Sequence, residues 1–180
     1  LVGSEMCIRD RGYLKRKYED NKDMLSRFLV IIFSLVLVTN TYAERGAKVG
    51  NVTMGMDYEQ ALDSIRTEFG KPNMVNQDTV LFRNLSYRGF VFDKVLFKFK
   101  AAKFNEARFF IYAKNKAAAV KDLSRLSEAF KKNYSLAEDY EDGLYFYKGG
   151  ISPKGIGHLF TISVAKRQGN WNTELTFGPF

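Results

Sequence analysis

Phe90-Val91-Phe92-Asp93-Lys94-Val95-Leu96-Phe97-Lys98-Phe99-Lys100 and then Phe104-Asn105-Glu106-Ala107-Arg108-Phe109-Phe110-Ile111-Tyr112-Ala113-Lys114 is the stretch that decides the fold. In the first segment Val95, Phe97 and Phe99 fall on one side of a two-residue period, with Leu96, Lys98 and Lys100 on the other. In the second, Ala107, Phe109, Ile111 and Ala113 alternate with Arg108, Phe110, Tyr112 and Lys114. Successive side chains of a strand point to opposite faces, so this alternation marks half-buried strands joined as a hairpin.

Outward from this pair the pattern changes character. Residues 79–88 read as a strand with an irregularity near Arg83-Asn84, because Phe82, Leu85 and Tyr87 do not keep one alternation and a bulge would restore it. Farther upstream, residues 49–56 read as a short first strand. Tyr58, Leu62, Ile65 and Phe69 then recur at helical spacing. Asp57 is placed as N-cap, with Gln60 completing a capping box. Gly70 suits a left-handed residue past the helix end, and Pro72 stops the helix from restarting. Downstream, Ala119, Leu123, Leu126, Phe130 and Tyr134 make the apolar stripe of a second helix over residues 116–134, capped by Asn115. Strands follow over 143–148, 158–166 and 171–177, with Gly169-Asn170 in the loop joining the last two. The order, a helix and three strands twice over, suggests a duplicated unit. The expected fold is α+β, with two helices packed on one face of an antiparallel sheet of about six strands.

Not all 180 residues are expected to belong to that fold. Leu1-Val2-Gly3-Ser4-Glu5-Met6-Cys7-Ile8-Arg9-Asp10 resembles the in-frame translation of a sequencing-library adapter, so residues 1–11 are read as a scar and 12–23 as leader. Met24 then opens a signal peptide over 24–43. Arg27 provides a positive start, residues 28–38 are apolar apart from Ser34, and Thr41-Tyr42-Ala43 places small residues where a signal peptidase cuts, between Ala43 and Glu44. An uncleaved membrane anchor is the alternative, but a spanning helix needs roughly 20 apolar residues. The domain is then 44–180, periplasmic or secreted, and the membrane is a partner only if the signal stays on. Cys7, the one cysteine, falls in the scar, so packing rather than disulfides must hold the domain. Removing the seven Lys/Arg and five Asp/Glu of residues 1–43 from 28 and 20 leaves a net charge of +6. That favours anionic surfaces mildly, and nucleic acid is not an expected partner of an exported protein.

Gly55-Met56-Asp57-Tyr58-Glu59-Gln60-Ala61, Phe69-Gly70-Lys71-Pro72 and Tyr87-Arg88-Gly89-Phe90-Val91-Phe92-Asp93 together resemble a group of small exported bacterial proteins that remain uncharacterised. The opening phrase is also similar to that of the outer-membrane assembly lipoproteins and the β-lactamase-inhibitor-like folds. The resemblance implies helices on an antiparallel sheet and says nothing of chemistry. Those lipoproteins carry a lipidated cysteine at the mature start, where this chain has Glu44.

Catalytic signals are weak. His158 is the sole histidine, and neither Ser152 nor Ser163 sits in a context that marks an activated nucleophile. One histidine and no cysteine in the domain argue against zinc, and no cofactor is expected. The acidic run Glu138-Asp139-Tyr140-Glu141-Asp142-Gly143 has enough carboxylates for calcium but not the spacing of a calcium loop, so it reads as a solvated turn. Asp93 and Glu174 interrupt apolar strands, which makes them the candidate pair for a small envelope hydrolase. Aromatics stand out more: the domain holds 14 Phe, 7 Tyr and 1 Trp, on both faces of several strands. Arg108, Phe110, Tyr112, Tyr145 and Tyr147 are therefore the expected binding residues, on an open face beside Lys98. Such a face suits a protein, peptide or polysaccharide of the cell envelope, or is covered by a loop or a second copy. The leading expectation is a non-enzymatic binding module, with the hydrolase as alternative.

Overall fold

The computed structural model describes residues 47–180 apart from Asp142. The adapter-like segment 1–11, the leader 12–23, the signal 24–43 and the Ala43-Glu44 bond lie outside the described residues. Two short strands, β1 (Lys48–Val49) and β2 (Val52–Thr53), form a small ribbon in place of the single strand expected over 49–56. Helix α1 (Tyr58–Phe69) follows. Asp57 is its N-cap residue, but the capping box does not form. Its backbone bridges to Lys103, and its carboxylate accepts from the Lys103 Nζ at 3.0 Å instead. Gly70 ends the helix at φ 83°, ψ −156°, a region essentially restricted to glycine.

The rest of the chain is β3 (Met74–Val75), β4 (Thr79–Tyr87), β5 (Phe90–Lys100), β6 (Lys103–Ala113), helix α2 (Lys116–Lys131), β7 (Leu136–Glu141), β8 (Leu144–Gly149), β9 (Phe160–Arg167) and β10 (Asn170–Phe177). Asn115 caps α2 as expected, accepting the Ala118 N–H at 2.9 Å. The long strands form one antiparallel sheet in the order β3-β4-β5-β6-β10-β9-β8-β7. Eight strands, not six, make it. The two that sequence missed are its edges: β3 is only two residues long, and β7 is the acidic run taken for a turn. An edge strand exposed along its length has no reason to alternate apolar and polar residues. Each half of the sheet is thus a helix followed by four strands.

Register explains the core. Val95 faces Phe109, Phe109 faces Leu175, and Leu175 faces Ile162, so one line of apolar side chains crosses four strands on a single face. Both helices pack there: Ala61, Leu62 and Ile65 of α1, with Ala119, Leu123, Leu126 and Phe130 of α2, join one buried cluster with Phe82, Phe97, Phe160 and Phe177. Arg88 pins the β4–β5 turn to the end of α2. Its guanidinium lies 5.1 Å from the Phe130 ring centre and donates to the Tyr134 hydroxyl at 3.1 Å. No helix among the described residues is long and apolar enough to cross a membrane.

The irregularity expected near Arg83-Asn84 is present, though it is not a bulge in one strand. Arg83 pairs with Lys94 and Leu85 with Phe92, so the β4–β5 register never slips. Both strands change parity together instead. Phe82 and Tyr87 are buried on β4, and Phe92 and Val95 on β5, with Asn84 at φ 53°. Two residues of opposite strands share one kink.

Core packing is tight enough to give two stability predictions. Phe109 contacts Tyr87, Phe92, Phe97 and Phe177 and has no exposed surface, so Phe109→Ala is expected to cost about 3–5 kcal/mol. A Cβ on Gly149 would meet Leu136 Cδ2 and Phe160 Cζ at 2.5 Å, so Gly149→Ala is expected to cost about 1–3 kcal/mol by overpacking. Urea unfolding midpoints, at unchanged slope, check both.

Candidate binding site on the uncovered sheet face

The face opposite the helices is fixed by the same register. Across it run the rows Lys98–Glu106, Leu96–Arg108–Thr176–Thr161, Lys94–Phe110–Glu174–Ser163 and Tyr112–Asn172–Ala165. Two carboxylates at its centre are buried although no helix covers them: Glu106 is 5% exposed and Glu174 is 3% exposed. Long basic side chains fold over them. Lys98 Nζ reaches Glu106 Oε2 at 3.0 Å, and Arg108 Nε donates to Oε1 of the same carboxylate. Arg167 holds Glu174 with two donors, Nε to Oε1 and Nη2 to Oε2, the latter at 2.9 Å. Donating to the Glu174 carboxylate raises the Arg167 pKa still further. A buried carboxylate without such partners would be strongly destabilising, so these cations are part of the fold as well as the surface.

A pocket of about 870 Å³ opens beside this cluster, at the end of the sheet next to the β9–β10 hairpin. Its position follows from the shared kink. Strand β5 pairs with β6 from Lys94 onward, and residues 90–93 have left the ladder. Tyr112 loses its backbone partner on that side, and the Asp93 carboxylate takes the place, accepting the Tyr112 N–H at 2.7 Å. Phe110, 7% exposed, lies against the pocket, and Tyr112, 55% exposed, stands beside it. Lys94 and Lys166 add charge, and neither figures in an ion pair among the described residues. Lys94 Nζ is 5.9 Å from the Phe110 ring centre. The hairpin supplies Arg167, Gln168 and Asn170; Gln168 and Gly169 both have positive φ, the geometry of a tight two-residue turn. That turn is one residue earlier than the expected Gly169-Asn170 loop.

One pocket-lining residue carries an unsatisfied atom. Asn172 is 4% exposed, and its Oδ1 is the only buried side-chain oxygen or nitrogen among the described residues without a hydrogen-bond partner. Leaving such a group unpaired costs roughly 1–3 kcal/mol.

Of the residues expected to bind, Arg108, Phe110 and Tyr112 share this face. Tyr145 and Tyr147 do not. Tyr147 pairs with Ile162 and packs toward the helices, with Lys131 of α2 5.4 Å from its ring centre. The Tyr145 ring lies inclined at 57° to that of Tyr140 near the sheet edge, ring centres 4.8 Å apart. Asp93 and Glu174 are each spent on structure, as described. Ser152 donates to the Ile156 carbonyl, and Ser163 faces Glu174 across the β9–β10 ladder. The His158 Nε2 lies 3.0 Å from Thr161 Oγ1. In the acidic run, strand alternation sends neighbouring acids to opposite faces, and Asp139 pairs with Lys148 at 3.1 Å. The Lys148 hydrogen bond, aided by the Tyr140 N–H, holds the Asp139 carboxyl below its ordinary pKa. Asp142 lies outside the described residues, and those described contain no cluster of three or more potential metal-ligating residues. Comparison with protein-family models, curated proteins and solved structures gave no match to the chain.

Two expectations follow from these assignments. Asp93→Ala leaves the Tyr112 N–H without its acceptor and is expected to cost roughly 1–2 kcal/mol, whereas Asp93→Asn, which keeps an oxygen there, costs less. Equal unfolding midpoints for the two variants would show that the carboxylate does not fill the ladder. Burial, with Lys148 adding to it, pushes the His158 pKa below 6.5. The unfolded chain therefore binds a proton more readily than the folded one below that pH. This contribution to stability is complete above about 6.5 and is lost as the pH falls through the lower folded value. Melting curves of His158→Gln are expected to depend less steeply on pH in that window.

Proposed function

We propose that the chain is an exported, non-enzymatic binding module that meets a component of the cell envelope on its uncovered sheet face. The observation that carries this reading is the pocket beside Phe110 and Tyr112, which is lined by cations, an exposed ring and Asn172, whose buried Oδ1 is unpartnered. A sheet face turned to water is ordinarily tiled with satisfied polar groups, so an orphaned buried acceptor beside an exposed aromatic points to a missing partner. The hydrolase reading has less support, because Asp93 and Glu174 are both engaged in holding the sheet. On this view the two halves, each a helix and four strands, are copies of one unit joined at β6 and β10, with the pocket on the seam side of the join.

Export and binding are tested separately. Mass spectrometry of the protein recovered from a secreting bacterial host is expected to give a mature start at Glu44; retention of Met24 would mean that residues 24–43 act as an anchor. For binding, retention of the recovered protein on isolated envelope material is compared among variants. Tyr112→Ala is expected to reduce retention at least about tenfold with an unchanged melting temperature, and Tyr145→Ala, on the other side of the sheet, to leave it intact. The opposite pattern would move the ligand to the helix side and sink the proposal.

A further inference from the structure

We infer that the pocket at the β9–β10 hairpin takes an acidic saccharide, a sugar unit bearing a carboxylate; this rests on the binding reading above and names its ligand class. Six residues carry the argument. Gln168, Asn170 and Asn172 all line one cavity, and the amide that each carries offers both donors and an acceptor. That is the complement of neighbouring hydroxyls, each of which donates and accepts. Asn172 is the most telling of the three: the residue lines the cavity while its Oδ1 stays buried and unpartnered, so a turn of the amide that brings this oxygen to a ligand hydroxyl would satisfy a group that no other described residue does. Tyr112, more than half exposed, offers a flat ring against which the C–H face of a pyranose can lie.

The charge comes from Lys94 and Arg167. Lys94 has no acidic partner among the described residues. Arg167 gives Nε and Nη2 to Glu174, which fixes its guanidinium, and its Nη1 has no hydrogen-bond partner among the described residues. A fixed guanidinium and a free ammonium at the mouth of an amide-lined pocket suit one carboxylate on a hydroxyl-rich ring. An acidic peptide such as tri-glutamate would use the cations and could pair its backbone with the amides, but it brings no pyranose C–H face to the ring, and free phosphate would need neither.

The test is calorimetric titration of the protein recovered from the secreting host with four probes: tri-galacturonate, maltotriose, a tri-glutamate peptide and inorganic phosphate. Tri-galacturonate is expected to bind on the order of tenfold more tightly than maltotriose, and Lys94→Gln to remove most of that difference. Asn172→Asp, which adds a negative charge to the floor, is expected to weaken tri-galacturonate on the order of tenfold. If that variant fails to fold, Tyr112→Ala, at an exposed position, is expected to weaken both saccharides alike. Equal binding of tri-glutamate or phosphate would reduce the site to simple charge pairing and overturn the inference. If no probe binds but envelope retention still depends on Tyr112, the acidic saccharide is wrong and the binding face stands. If retention is also indifferent to Tyr112, both fall.

Discussion

A sheet of eight strands has two faces, and the two helices of this chain cover only one of them. Everything else follows from that asymmetry. The covered face can be filled with rings, and it is: Phe82, Phe92, Phe97, Phe109, Phe160 and Phe177 meet the apolar stripes of α1 and α2 in one cluster. The other face must stand against water with side chains alone. It does so with long basic residues whose stems lie across the sheet while their heads reach solvent. Under them Glu106 and Glu174 are shielded almost completely, and each is neutralised by a cation from a neighbouring position. The result is a surface that is charged on top and dry beneath.

The kink shared by β4 and β5 decides where that surface opens. Because both strands change parity at the same level, their own pairing survives while β5 pulls away from β6. One backbone donor is orphaned by the departure, and Asp93 meets it with its side chain. The space left between Lys94 and Tyr112 becomes one wall of the pocket, and the β9–β10 hairpin becomes the other. A carboxylate that looked catalytic in the sequence is thus what keeps the opening from unravelling the sheet.

How much of this was legible beforehand depends on the range of the information. Alternation along a single strand disclosed β5, β6, β9 and β10, and helical spacing disclosed α1 and α2, since each buries one side of itself. The edges were hidden for the opposite reason: β7 is exposed nearly throughout, so Glu138, Asp139 and Glu141 carry no apolar partner pattern. The parity change at Asn84 was visible as a broken alternation, but its mirror on β5 was not recognised. On the uncovered face, Arg108, Phe110 and Tyr112 could be placed together because they share one strand. Tyr145 and Tyr147 were assigned to the wrong side, because strand-to-strand parity is set by register and turns rather than by residue type. Lys94 stood out only as part of a basic stretch that reads as a solvated strand face, and Asn172 and Arg167 carried no signal at all. Their burial and free edges arise from neighbours on three different strands.

The seam between the halves has a further consequence. Residues 107–113 of β6 meet residues 171–177 of β10, whereas the other long pairings join strands that follow one another closely or, at β3–β4 and β7–β8, lie at the margins. Closing a long loop costs chain entropy before any contact repays it, so the local hairpins assemble first and the central ladder last. During that interval β6 and β10 each present an unpaired edge flanked by Phe109, Phe110 and Leu175. The time the chain spends in danger of clumping with its own copies is therefore set at the middle of the finished sheet, not at its rims.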